Sequence, residues 1–328
     1  SASQPGSLSK LYSSRQKAGS TPTSSPQKEM PSTQQAAVSI QPAAGRAPTS
    51  SPQKEIAPQT PSNAPFRAAS PFGNRQKKGA PQISFGDIPA TEKLRPLGHS
   101  NIDLKIQWVT KRPDGLYLQS RYGTLRLSPV GSAIVRVTFA KGRQPDMAVH
   151  KSIAVNRTSK YWMYKDNGRT VELSMEELVL SVDKLSGAIQ YLARGERPAD
   201  KRLLLAERST QCRQLESGAG GCLRTWLYLN WEKGERLYGF GPKGEAGVSL
   251  RGAARYLSES SSAELPFLLS DRGYGILPAT ELPVFCCDLP SYGSYIYAEY
   301  VNQMDFYLVA GRRQDTLLKA YDYLCGRL

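Results

Sequence analysis

Residues 237–277 read LYGFGPKGEAGVSLRGAARYLSESSSAELPFLLSDRGYGIL, and this stretch decides how the rest of the chain is understood. It opens on Tyr238-Gly239-Phe240-Gly241, passes Leu250-Arg251-Gly252, and closes on Pro266-Phe267 and Arg272-Gly273-Tyr274-Gly275. The pattern is that of a strand end, a long glycine-bearing excursion and a return hairpin. Phe267, Leu268 and Leu269 form the ingoing strand, and 274–277 form the outgoing one. Asp271-Arg272-Gly273 supplies the turn, where glycine takes the positive φ that a tight hairpin needs. A loop of more than about twenty residues inside a compact domain is uncommon, being either functional or disordered. The functional reading is taken for 242–264.

Outward from this stretch, apolar residues alternate with polar ones in short runs separated by turn residues, which marks antiparallel sheet. Strands are expected at 104–110, 116–119, 124–127, 133–139, 162–164 and 170–173. A hairpin joins 178–182 to 188–191, and a further strand is expected at 222–231. After the 271–273 turn come strands at 284–288, 294–300 and 305–310. Val135, Val137 and Phe139 fall on one face of their strand, with Arg136 and Thr138 on the other. Leu317, Leu318, Tyr321 and Leu324 recur at helical spacing, with Asp315 as the expected cap. A dozen short strands and one terminal helix point to a large all-β sandwich.

The first hundred residues are of another kind. Residues 1–100 hold 14 of the 23 prolines but only four aromatics, Tyr12, Phe66, Phe72 and Phe85. Such a segment buries too little apolar surface to offset its ordering entropy, so 1–100 is expected to be a disordered Pro/Ser-rich basic tail and 101–328 the folded domain. The segment PTSSPQKE occurs twice, at 22–29 and 48–55. Two copies make a linker rather than a solenoid, and Ser25, Ser51 and Ser70, each before proline, are phosphorylation candidates. The tail could recruit a protein partner.

The net charge of +15 is shared almost evenly between tail and domain. The basic residues are scattered, with no basic helix or interleaved basic-aromatic motif, so specific nucleic-acid binding is not expected. The five cysteines, Cys212, Cys222, Cys286, Cys287 and Cys325, fit no metal-ligand spacing, and adjacent Cys286 and Cys287 would face opposite sides of a strand. Free thiols in a reducing compartment fit better than a disulfide scaffold, which leans the localisation toward the cytoplasm. No apolar run is long enough to span a bilayer. Because the sequence starts at Ser1, a targeting segment could have been removed before it, so the compartment stays open.

In their order along the chain, these segments resemble the amino-terminal domain of glycoside hydrolase family 31, which contains α-glucosidases and α-xylosidases. Tyr238-Gly239-Phe240-Gly241, Leu250-Arg251-Gly252, Pro266-Phe267 and Arg272-Gly273-Tyr274-Gly275 carry the resemblance. So do Ile134 to Val137, the 178–191 hairpin, Leu203-Leu204-Leu205 with Glu207, and the ending Tyr323-Leu324-Cys325-Gly326-Arg327. The resemblance spans about 102–328 and implies a galactose-mutarotase-like sandwich whose last helix leads into a catalytic barrel. The family's reaction uses two carboxylates flanking an α-linked sugar. Its nucleophile lies on a Trp-x-Asp-Met-Asn-Glu segment in that barrel. Here Asp146-Met147 and Met304-Asp305 lack the other residues, so no catalytic residue, cofactor or metal ligand is assigned. The sugar partner would be held through the barrel.

The resemblance also implies that 242–264 lines the rim of the sugar site, with Arg251, Arg255, Tyr256 and Glu259 as candidate substrate-binding residues. Where the family has Trp-Asn-x-Asp, this chain has Leu257-Ser258-Glu259-Ser260. Sugar epimerisation, which shares the sandwich, needs a histidine acid and a carboxylate base. His99 and His150 are the two histidines, and both are expected to be solvent-exposed. The alternative to a hydrolase domain is a stand-alone carbohydrate-binding or protein-interaction module.

Overall fold

A computed structural model describes residues 93–94, 102–142, 144–197, 199–239, 249–258 and 265–327. The expected disorder of the tail, apart from Lys93 and Leu94, lies outside these residues, as does His99. In chain order the strands begin with β1 (Trp108–Arg112), β2 (Gly115–Gln119), β3 (Gly123–Pro129), β4 (Ile134–Lys141), β5 (Met163–Asp166) and β6 (Thr170–Ser174). Then follow β7 (Leu178–Asp183), β8 (Ile189–Arg194), β9 (Lys201–Glu207), β10 (Arg213–Ser217), β11 (Leu223–Asn230) and β12 (Leu237–Gly239). The remainder are β13 (Ala254–Ser258), β14 (Leu268–Ser270), β15 (Tyr274–Pro278), β16 (Val284–Leu289), β17 (Gly293–Tyr300) and β18 (Met304–Ala310), before helix α1 (Gln314–Leu324).

All of these strands pair antiparallel. One sheet runs β1-β2-β3-β4-β18-β15-β14-β12, and the other runs β13-β16-β17-β11-β9-β8-β7-β6-β5 with β10 paired to β11. The expected two-sheet sandwich with a terminal helix is therefore present. Its main core lies between the sheets, where Val135, Val137 and Phe139 of one meet Leu180, Tyr191 and Leu229 of the other. Strict alternation sets the facing. Cys286 joins this core, whereas its neighbour Cys287 belongs to a separate cluster on the outer face.

Helix α1 covers the outer face of the first sheet. Leu317, Tyr321 and Leu324 are its buried residues, and the Tyr321 ring stacks on Phe267 at 5.1 Å. Tyr321 also donates from its hydroxyl to the Leu265 carbonyl at 3.1 Å, which fixes the helix against the β14 approach. The helix start differs from expectation: Arg313 is the cap position and Asp315 lies in the first turn. There Asp315 accepts from Arg313 Nε at 3.0 Å, so its carboxylate engages a guanidinium instead of closing the helix end. Gly326, at φ 69°, ends the helix in the left-handed conformation that favours glycine.

The 271–273 turn forms as expected, with Gly273 at φ 87° between β14 and β15. Strands β9, β10 and β13 were not anticipated. β10 carries Arg213 and Glu216, charges that mask its alternation, and β13 lies inside the 242–264 excursion.

Candidate functional site

The 237–277 stretch leaves the first sheet from its edge strand β12, contributes β13 to the edge of the second, and returns to the first through β14. It therefore joins the two sheets along one side of the sandwich. The crossing is tied at its base, where the Leu250 amide donates to the Leu237 carbonyl at 2.8 Å and both side chains are fully buried.

Arg251 is the centre of this tie. Its Nε donates to Asp288 Oδ2 at 2.7 Å, while Nη1 donates to the carbonyls of Glu232 and Glu235, each at 3.1 Å. The guanidinium also sits 5.6 Å from the centre of the Trp231 ring. A planar fork with several fixed donors suits such divided work, and an ammonium does not. Asp288, at the end of β16, further accepts from the Gly252 amide at 2.9 Å and the Ser294 hydroxyl at 2.7 Å. Burial alone would raise the Asp288 carboxyl, but the bonds from Ser294, Arg251 and Gly252 outweigh it and hold the group below the usual carboxylate range. Gly252 sits at φ 72°, so the residue after Arg251 favours glycine.

Glu235 completes the arrangement from the other side. It is buried, accepts from the Ser270 and Tyr274 hydroxyls at 2.6 Å each, and takes the Glu232 amide at 2.9 Å. The 232–235 turn thereby holds the start of the excursion through Arg251 and the returning hairpin through Glu235. Neither Asp288 nor Glu235 was singled out from sequence, because each is defined by partners many positions away.

The other candidates are placed as follows. Arg255 and Tyr256 lie in β13, opposite Cys286 and Phe285 of β16. Glu259 falls outside the described residues. The structure thus brings Arg251 and Arg255 to one edge strand and its lead-in turn, with Arg251 committed to holding the backbone.

Among the described residues, cavities open on the outer face of the first sheet, where residues 146–158 pass over β3, β4 and β18. One, of about 290 Å³, is lined by Arg126, Arg136, Asp114, Arg157 and Tyr307. The second, of about 310 Å³, is lined by Asp146, His150, Glu281, Asn302, Gln303 and Asp305. Arg136 and Asp305 separate them, paired by Nε to Oδ1 at 2.9 Å and Nη2 to Oδ2 at 2.6 Å. His150 is half-buried rather than exposed, because this cavity wall covers one side of it. Burial pushes its imidazole down, with the Glu281 carboxylate opposing.

Acid–base work on a glycoside needs a carboxyl held protonated near neutral pH beside an ionised one. The hydrogen bond from Lys151 instead holds Glu281 below the usual carboxylate range, and Asp305 is taken up by Arg136. Both carboxylates are therefore already engaged by cationic side chains. Among the described residues, no three His, Cys, Asp or Glu side chains gather as a metal site, and no helix is long and apolar enough to cross a membrane.

No family profile matches the sequence, and no curated protein matches it. Solved structures do share its fold. A Flavobacterium johnsoniae GH31 dextranase complexed with glucose aligns at a TM-score of 0.55 and 16% identity, over 69% of this chain and 28% of the dextranase. The chain therefore shares the fold of part of this GH31 enzyme. A GH31 α-xylosidase from a soil metagenome, complexed with xylose, aligns at 0.55 and 15% identity over 66% of this chain and 34% of the xylosidase. A Listeria monocytogenes protein aligns at 0.53 and 16% identity, over 67% of this chain and 22% of its own. The chain therefore spans about a third or less of the length of the solved chains it resembles.

Proposed function

We infer that this chain is the amino-terminal, non-catalytic sandwich of an α-glucosidase-like glycoside hydrolase, and that its 242–264 excursion frames the entrance to the sugar site. The observation that carries this reading is the clamp at Leu250-Arg251-Gly252. Each residue of that motif has a task there: Leu250 is buried, Arg251 bonds both the end of β16 and the 232–235 turn, and Gly252 takes the positive φ. A loop whose exit points are fixed this way has its position set by the sandwich, which is what a rim element requires. Arg255, Tyr256 and Glu259 are the residues proposed to face the sugar.

In this reading the parent hydrolyses a terminal α-linked sugar through a covalent glycosyl intermediate, using acids supplied by a barrel. The departure at Leu257-Ser258-Glu259-Ser260 favours a second reading, a stand-alone carbohydrate-binding or protein-interaction module. Sequencing the transcript past the Leu328 codon separates the two. A downstream Trp-x-Asp-Met-Asn-Glu segment supports the hydrolase, and an immediate stop supports the module. The 328-residue chain should not turn over p-nitrophenyl α-glucoside. Turnover by it would contradict both readings.

A further inference from the structure

The outward face of a solvated antiparallel sheet is normally polar, so large apolar groups gathered there mark a surface that something covers. The second sheet breaks this rule at its β11, β16 and β17 strands. Trp226, Tyr228, Phe285, Tyr295 and Tyr297 all point outward and form one buried cluster with Leu94. The rings are cross-strand partners, Trp226 opposite Tyr297, Tyr228 opposite Tyr295, and Phe285 opposite Tyr297. Their centres lie 4.8–5.3 Å apart in these pairs.

Lys93 and Leu94, fourteen residues or more before β1, sit on this face and are bonded to it. The Trp226 indole N–H donates to the Lys93 carbonyl at 3.0 Å, and the Tyr295 hydroxyl reaches the same oxygen at 3.5 Å. The Lys93 ammonium lies 3.4 Å from Glu299 Oε1, an oxygen that also accepts from the Tyr297 hydroxyl at 2.5 Å, and 5.8 Å from the Tyr297 ring centre. Leu94 is only 9% exposed.

We propose that this aromatic face is a docking site for an extended Lys-Leu segment, and that its occupant is the chain's own Lys93-Leu94. Three features give it selectivity. Ring donors grip the backbone carbonyl whatever the side chain, Glu299 selects a cation, and the ring cluster selects an apolar neighbour. Helix α1 packs on the opposite outer face of the sandwich, so the docked segment and the helix are held on opposite sides. The site fastens the start of the sandwich to a fixed point without adding a strand to any sheet edge. It is independent of any sugar role.

The test uses the full chain and a fluorescein-labelled peptide of residues 88–98, IPATEKLRPLG. In the wild type the tethered copy competes at an effective concentration on the order of millimolar. Leu94→Asp vacates the face without altering a sheet residue, so the peptide should bind this variant at least about tenfold more tightly than wild type. A peptide carrying the same Leu94→Asp change should bind neither. In parallel, trypsin should cut the Lys93–Leu94 bond severalfold faster in Glu299→Gln than in wild type. If the peptide binds wild type and Leu94→Asp alike, or fails to bind a natively folded Leu94→Asp chain, the face is not an exchangeable docking site and the proposal falls. Unchanged cutting in Glu299→Gln would remove the role given to the carboxylate.

Discussion

Replacing Arg251 with alanine should free the base of the 242–264 excursion while leaving the sandwich folded. The side chain makes three hydrogen bonds, to Asp288 and to the carbonyls of Glu232 and Glu235, at 2.7, 3.1 and 3.1 Å. Bonds to a charged group are worth roughly 1.5–3 kcal/mol each when buried, so the gross loss is about 4.5–9 kcal/mol. The Arg251 side chain is 25% exposed and Asp288 is 15% exposed, so water recovers part of that in the variant. A net loss of about 3 kcal/mol is expected, borne locally because the excursion is an edge element. At about 1.4 kcal/mol per factor of ten, hydrogen exchange at the Leu250 and Gly252 amides should rise by roughly 100-fold. Both amides are bonded here, to the Leu237 carbonyl and to Asp288. Exchange in the β3–β4 pair should not change. Arg236→Ala is the control, because Arg236 makes an exposed pair with Asp271 at 3.0 Å and should have little effect at Leu250. Equal exchange at Leu250 in Arg251→Ala and Arg236→Ala would refute the clamp.

The remaining predictions concern charge and thiols. Because its folded pKa is held low, Asp288 contributes stability that is present above the ordinary carboxylate pKa of about 3.9 and is lost as pH falls through its depressed folded value. Asp288→Asn should therefore be about 1–3 kcal/mol less stable than wild type at pH 7 in urea unfolding, with the gap closing toward pH 2. Arg213 and Glu207 form a fully buried pair, with Tyr191 donating to the same carboxylate at 3.0 Å. Arg213→Met alone should cost about 3–5 kcal/mol, whereas Arg213→Met with Glu207→Leu should cost less; a double mutant worse than the single would contradict this. Burial pushes the Cys212 thiol up to about 12 and the Cys287 thiol up to about 11, and it also raises Cys286 well above the usual thiol range. At pH 8 a disulfide reagent should modify Cys222 and Cys325 in the native chain, and the other three only after denaturant is added.

Much of the sandwich was legible in the sequence because strand alternation records which face is buried. It separated Val135 and Val137 from Arg136, put Cys286 and Cys287 on opposite faces, and fixed the turn at Gly273, where a positive φ was needed. The helical spacing of Leu317, Tyr321 and Leu324 reported a packed face in the same way. These signals are local, a matter of neighbours within one element. What only the tertiary structure decided was which distant groups meet. β10 escaped notice because Arg213 reads as a surface charge until Glu207 is found beside it. Nothing in the sequence named Asp288 and the carbonyls of Glu232 and Glu235 as the partners of Arg251. Lys93 and Leu94 carried no sign of the ring cluster that receives them. A buried polar group must be paired, but the sequence does not name the partner; chain topology does, by placing residues far apart in number within a few ångströms.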